Sequence, residues 1–225
     1  ADFLRRIAAS PECPKSSCPS PEKYMELYRC DAERVYAVTL SSELSGSYNS
    51  AELGKKLYKE EHGGKNIHVF NSRSASVGET LIALKIHECE EAGMSFEEVV
   101  SAVERYIEGQ HTYFVLENLD TLRKNGRLTG IKSIVASALN IKPVMGSTPK
   151  GTICQLGQAR GVKRALVKMA DCIKRDAVDP AGKILAIAHC NCPERAREVE
   201  DLLLERLKVK SSFIVDTAGI STMYA

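Results

Sequence analysis

The stretch Val35-Tyr36-Ala37-Val38-Thr39-Leu40-Ser41-Ser42-Glu43-Leu44-Ser45-Gly46-Ser47-Tyr48 decides the fold class. Its first six residues form a short β-branched run of the kind that fills a buried strand, and a Ser/Gly-rich turn then opens a helix over 47–59. The pattern repeats outward. A strand is predicted over 67–70, after Gly63-Gly64, and a long helix over 74–92 that stops at Gly93. Ser95-Phe96-Glu97-Glu98 is a capping box for the next helix. Strand, turn, helix, strand, helix, helix is the rhythm of a parallel α/β sheet.

Upstream, residues 1–9 read as an amphipathic helix, and Ser20-Pro21 as the N-cap and first position of a helix over 22–29. Downstream the pattern changes. A strand is predicted over 111–116 and a short helix over 118–124, ended by Asn125-Gly126, then a helix over 131–139. Strands over 141–147 and 152–157 flank Thr148-Pro149-Lys150-Gly151 and read as a hairpin. A helix over 161–175, a strand over 184–189, a helix over 193–207 and a strand over 212–216 follow. The expected organisation is two α/β domains cut near Gly109-Gln110. Residues 1–109 carry a mainly parallel sheet and residues 110–225 a mixed one.

Composition excludes several classes. Of 225 residues, 44% are hydrophobic and 27% charged, which is the mix of a globular protein rather than a disordered one. Lysine plus arginine number 31 against 29 acidic residues, a formal charge of +2, without the basic excess of a nucleic-acid or acidic-membrane binder. No apolar run reaches the roughly 20 residues that span a bilayer. A chain of this length does not need disulfides, so most of its 8 cysteines are expected as reduced, buried small hydrophobes of a cytoplasmic protein. Cys190-Asn191-Cys192 beside His189 lacks the paired C-x₂₋₄-C spacing of structural zinc, so no metal and no cofactor is expected.

Two places could carry chemistry. The Ser41–Ser47 corner follows a strand and opens a helix, where outward-pointing amides favour an anion and serine hydroxyls add neutral donors. Gly46 lets backbone come close. An enzyme acting there on a small phosphorylated or carboxylated substrate is the alternative reading. It needs a base, and none of His62, His68, His87, His111 and His189 sits in a triad context. No G-x-S-x-G elbow or phosphate-binding glycine loop occurs either. The second place is Lys15-Ser16-Ser17-Cys18-Pro19-Ser20-Pro21-Glu22, where capping explains Ser20 but not the two preceding hydroxyls.

These residues carry a resemblance. Ser16-Ser17-Cys18-Pro19-Ser20-Pro21 resembles the T-S-Q-P-S-P motif of the DegV family of bacterial fatty-acid-binding proteins. Ser41-Ser42-Glu43-Leu44-Ser45-Gly46-Ser47-Tyr48-Asn49-Ser50-Ala51 is similar to its S-S-x-L-S-G-T-Y-x-S-A signature. The likeness continues in order through Phe70-Asn71-Ser72-Arg73-Ser74-Ala75-Ser76, Leu119–Leu128 and Leu139-Asn140-Ile141-Lys142-Pro143. It implies a two-domain α/β fold with one long-chain fatty acid in a tunnel between the domains. It further implies that Ser16 and Ser45 bind the carboxylate, with Ser42 and Gly46 of the same corner assisting, and that the protein is not itself an enzyme. The implied partner is an ATP-dependent fatty-acid kinase that phosphorylates the presented carboxylate, docking on Arg127 and Arg160, with Lys163 and Arg164 adding charge nearby. The family's N-terminal D-S-[ST]-A-D loop and late H-x-G-P-G motif have no match. The expectation is therefore that the first strand and loop and the last strand are omitted at the two ends, with Thr222 or Tyr224 standing in for the missing histidine donor.

Physical chemistry agrees with a fatty acid. The roughly fifteen CH₂ and CH₃ groups of a sixteen-carbon chain give a gross gain on the order of 12 kcal/mol on burial, so hydroxyls suffice to fix the head.

Overall fold

A computed structural model describes residues 2–128 and 140–224; the helix expected over 131–139 lies outside them. The chain divides into two compact units. One comprises Ser17–His111 with Pro149–Thr152, and the other Ala1–Ser16, Thr112–Thr148 and Ile153–Ala225. The expected cut at Gly109-Gln110 falls two residues before the boundary after His111, and residues 1–16 and 149–152 each group with the other unit. The segment at 149–152 joins the first unit because the Ser41 hydroxyl donates to the Gly151 carbonyl at 2.9 Å.

In order along the chain, the described elements begin with α1 (Asp2–Ala9), α2 (Pro21–Tyr28), β1 (Arg34–Thr39), α3 (Ser47–His62), β2 (Asn66–Asn71), α4 (Val77–Glu91) and α5 (Phe96–Glu108). They continue with β3 (Tyr113–Phe114), α6 (Asp120–Lys124), β4 (Ile141–Ser147), β5 (Ile153–Arg160) and α7 (Val162–Asp176). The last are β6 (Ile184–His189), α8 (Pro193–Leu204), β7 (Ser211–Asp216) and α9 (Gly219–Met223).

In the first unit β1 and β2 pair in parallel, from Arg34↔Asn66 to Thr39↔Asn71, so the two strands end side by side. Phe70 of β2, Ile82, Ile86 and Cys89 of α4, and Val99, Val103 and Ile107 of α5 form its core. Each such fully buried side chain contributes about 1.5–3 kcal/mol. Helix α2 lies so close on α3 that a Cβ at Gly54 would stand 2.5 Å from the Pro21 carbonyl oxygen. The caps read from sequence are formed: Ser20 accepts from the Lys23 amide, and Ser95 and Glu98 close a capping box.

Helix α4 starts later than expected. The Ser74 amide donates to Ser72 Oγ, whose hydroxyl donates back to the Ser74 carbonyl, and Arg73 and Ser76 take positive φ of 50° and 57°. That tight turn holds residues 72–76 out of the helix, which begins with a capping box between Ser76 and Glu79.

In the second unit β3, β4 and β5 form an antiparallel sheet, and β6 and β7 a parallel pair. The strand expected over 111–116 contracts to two residues, because only Tyr113 and Phe114 find partners on β4. Conversely, β5 runs on to Arg160, opposite Ile141. Helix α9 and a single 3₁₀ turn at Pro180–Gly182 had no sequence signal. Among the cysteines, all free thiols, only Cys89 and Cys172 are buried, fewer than the composition suggested, because the others fall on loops and half-covered faces. Among the described residues no helix is long and apolar enough to cross a membrane, and no three His, Cys, Asp or Glu side chains converge as metal ligands.

Burial pushes the Glu79 carboxyl up to about 7 from its ordinary 4.5, against the opposing hydrogen bond from the Ser76 amide. A carboxyl whose folded pKa is raised makes stability fall as pH rises from the unfolded to the folded value. Glu79→Gln keeps the cap acceptor and removes the proton. In urea unfolding at about pH 5 and about pH 8, the variant is expected to lose less stability on going to the higher pH than the parent, by on the order of 3 kcal/mol.

Candidate functional site

The corner after β1 is built by its hydrogen bonds. Asn71 sits at the end of β2 opposite Thr39. Its Oδ1 accepts from the amides of Ser42 (3.1 Å) and Arg73 (3.2 Å), and its Nδ2 donates to Ser42 Oγ at 2.8 Å. Ser42 Oγ is thus fixed as an acceptor toward Asn71, which leaves its own proton to point elsewhere. Ser41 is fully buried: its amide donates to the Ser74 carbonyl at 2.8 Å and its hydroxyl to Gly151.

Ser45 and Ser47 share a hydroxyl–hydroxyl bond of 2.9 Å, and the Ser47 amide donates to Ser45 Oγ at 3.2 Å. Gly46 is the N-cap of α3 and brings no side-chain acceptor, so Ser45 performs that service one residue earlier. Ser47 is buried, and burial holds the Tyr24 phenol above the ordinary tyrosine range. The Cys18 sulfur lies 3.3 Å from the place a Cβ on Gly46 would occupy, so glycine there admits Cys18 against the helix start.

The four-hydroxyl cradle expected from sequence therefore narrows to two. Ser41 and Ser47 are buried and committed to the framework, whereas Ser42 and Ser45 are half-buried at the positive end of a sixteen-residue helix. Asn71, Tyr24 and Gly151 escaped the sequence reading. Asn71 could have been found from strand register, since a parallel pair puts the residues ending each strand side by side.

The remaining candidates lie in the second unit. Ser16 Oγ is 3.0 Å from the Tyr224 hydroxyl. The Arg127 guanidinium lies over the Tyr224 ring, 5.5 Å from its centroid, and Nη1 donates to the Asn125 carbonyl at 3.0 Å. Tyr224 thus meets both Ser16 and Arg127. Thr222 instead donates to Thr217 Oγ1 at 3.1 Å. Arg160 ends β5 and is exposed, as are Lys163 and Arg164 at the start of α7.

The chain is similar to known proteins over its whole length. The DegV family model, described as an uncharacterised protein of the DegV family, matches residues 1–225. A DegV domain-containing protein of Streptococcus gordonii is 34% identical over 223 residues, which cover 99% of this chain and 78% of the relative. The crystal structure of a DegV family protein from Ruminococcus gnavus, refined with vaccenic acid, is 74% identical with a TM-score of 0.97, over 100% of this chain and 80% of the other. The Streptococcus pneumoniae fatty acid kinase (Fak) B3 protein loaded with linoleic acid is 33% identical with a TM-score of 0.90, over 100% of this chain and 79% of its own.

The Gly151 contact gives the corner a test. Gly151 has φ +90°, and a Cβ on it would lie 2.3 Å from Ser41 Oγ and 2.8 Å from the Arg73 Cα. Gly63, with φ +83°, has nothing within 4 Å of the same position. Gly151→Ala is expected to lose about 2–4 kcal/mol in urea unfolding from strain and overpacking together, and Gly63→Ala less, about 1–3 kcal/mol from backbone strain alone. Equal losses would show that Gly151 is not packed into the corner.

Proposed function

The chain belongs to the DegV family, and on that premise we propose that it binds one long-chain fatty acid and holds the carboxylate with Ser16, Ser42, Ser45 and the backbone at Gly46. The observation that carries the reading is the likeness to solved DegV proteins that hold fatty acids, one with vaccenic acid at 74% identity and one with linoleic acid at 33%. The chemistry of the corner supports it. Half-buried, uncharged hydroxyls at a helix N-terminus suit a carboxylate whose affinity is supplied mainly by its tail.

The finer part of the proposal is delivery. The protein works as a cytoplasmic, non-catalytic carrier that presents the carboxylate to an ATP-dependent fatty-acid kinase. Support for the partner is the name of the Streptococcus pneumoniae neighbour, a fatty acid kinase B3 protein. Arg127 and the exposed Arg160 are the docking residues, and Lys163 and Arg164 extend the positive surface that steers an acidic partner.

Native mass spectrometry of the purified protein is expected to show one copurifying acyl chain, or one taken up from added oleic acid. A protein that stays empty in both cases overturns the reading. Ser45→Ala removes a hydrogen bond to a charged head and is expected to weaken oleic acid binding by about tenfold. Unchanged affinity and unchanged phosphorylation would remove Ser45 from the site.

A further inference from the structure

Five residues that are scattered along the chain close a ring of contacts in the second unit. Ser16 Oγ meets the Tyr224 hydroxyl at 3.0 Å. The Tyr224 ring lies under the Arg127 guanidinium, and Arg127 donates to the Asn125 carbonyl. Asn125 Nδ2 donates to the Pro14 carbonyl at 2.9 Å and to the Thr121 carbonyl at 3.0 Å. Pro14 leads back along the chain to Ser16. The loop that ends in Ser16 and the Asn125-Gly126-Arg127 turn are therefore fastened to each other twice, once through Asn125 and once through Tyr224.

Tyr224 is itself held in place. Its ring packs against the buried cluster of Leu119, Leu122 and Met145, together with Phe114, Leu116, Leu128 and Ile153. A ring fixed by packing brings its hydroxyl to Ser16 without further loss of side-chain freedom.

From this geometry we infer that Tyr224 is a positioning residue, which sets the direction of the Ser16 hydroxyl proton with its own hydroxyl and the place of Arg127 with its ring. The inference rests on the fatty-acid reading above. Either hydroxyl of the pair can donate when no ligand is present. A carboxylate accepts only, so when Ser16 donates to it, Ser16 Oγ is left to accept and the Tyr224 hydroxyl becomes the donor. The relay polarises the Ser16 hydroxyl and strengthens its bond to the carboxylate. The ring acts separately. Its face attracts the guanidinium and keeps Arg127 folded over α6 instead of sampling solvent.

The two roles come apart under mutation. Tyr224→Phe keeps the ring and deletes the relay, whereas Tyr224→Leu deletes both. Oleic acid affinity, read by displacement of cis-parinaric acid, is compared for the parent, Ser16→Ala, Tyr224→Phe and the double variant. Each single variant is expected to bind about 3- to 10-fold more weakly, and the double variant no more weakly than Ser16→Ala, because Tyr224 acts through Ser16. Parent-like affinity in Tyr224→Phe, or single effects that multiply in the double variant, overturns the inference. A parent protein that binds no oleic acid overturns the fatty-acid reading, and the inference with it. For the ring, association of the oleate-loaded protein with a fatty-acid kinase is expected to be unchanged in Tyr224→Phe and about 3-fold weaker in Tyr224→Leu. Equal association of those two variants overturns the ring's part.

Discussion

The side chain of Asn71 carries three hydrogen bonds at once, two to Ser42 and one to the Arg73 amide, and the corner depends on them. The parallel register that ends β1 and β2 at Thr39 and Asn71 makes this possible. Without the Asn71 side chain, the loops that leave the two strands would keep only the Ser41–Ser74 and Ser72–Thr39 backbone bonds between them. With it, four serines of one type acquire different duties. Ser41 ties the corner to Gly151 and to the Ser74 carbonyl, Ser47 is buried and bonded to Ser45, and Ser42 and Ser45 remain half-buried. An asparagine suits this position because its carboxamide is donor and acceptor together, whereas an aspartate could only accept.

Much of the fold was legible in the sequence because its signals are local. The β-branched run at 35–40, the capping serines Ser20 and Ser95, and the hairpin around residues 148–151 each specify their element through neighbours a few residues away. The start of α4 was not legible. Residues 72–76 carry helix-compatible composition, but the Ser72–Ser74 turn and the positive φ at Arg73 and Ser76 override it. Nor was the two-residue extent of β3, which is set by how much of β4 it can pair with and not by its own apolar pattern. The exchange of residues 1–16 and 149–152 between the units has the same origin, since no composition shift marks a segment held by distant contacts.

The site followed the same division. Its location was readable, because a Ser/Gly turn between a strand and a helix is a local motif. The partners that decide which hydroxyls are free to act were not, because Asn71 and Gly151 stand 29 and 110 residues away from the serines they bind. Tyr224 lies 208 residues from Ser16. Sequence alone shows which groups could donate. Only the folded chain shows which have already been spent on holding the corner together.

A neutral head site also has a physical logic under the fatty-acid reading. A buried arginine would bind a carboxylate strongly, but it would be desolvated and unpaired whenever the ligand left. Hydroxyls impose no such penalty, because they are neutral and each is bonded to a neighbour, Ser45 to Ser47 and Ser16 to Tyr224. Affinity is then set by the tail, where each added CH₂ contributes about 0.8 kcal/mol as long as it is buried. The head groups are left with a different task. Under the proposed delivery to a kinase the carboxylate must face that partner in one orientation, and orientation is what hydroxyls held by their neighbours supply. On this argument the corner and the Ser16–Tyr224 pair matter less for how tightly the acid is held than for where its oxygen atoms point.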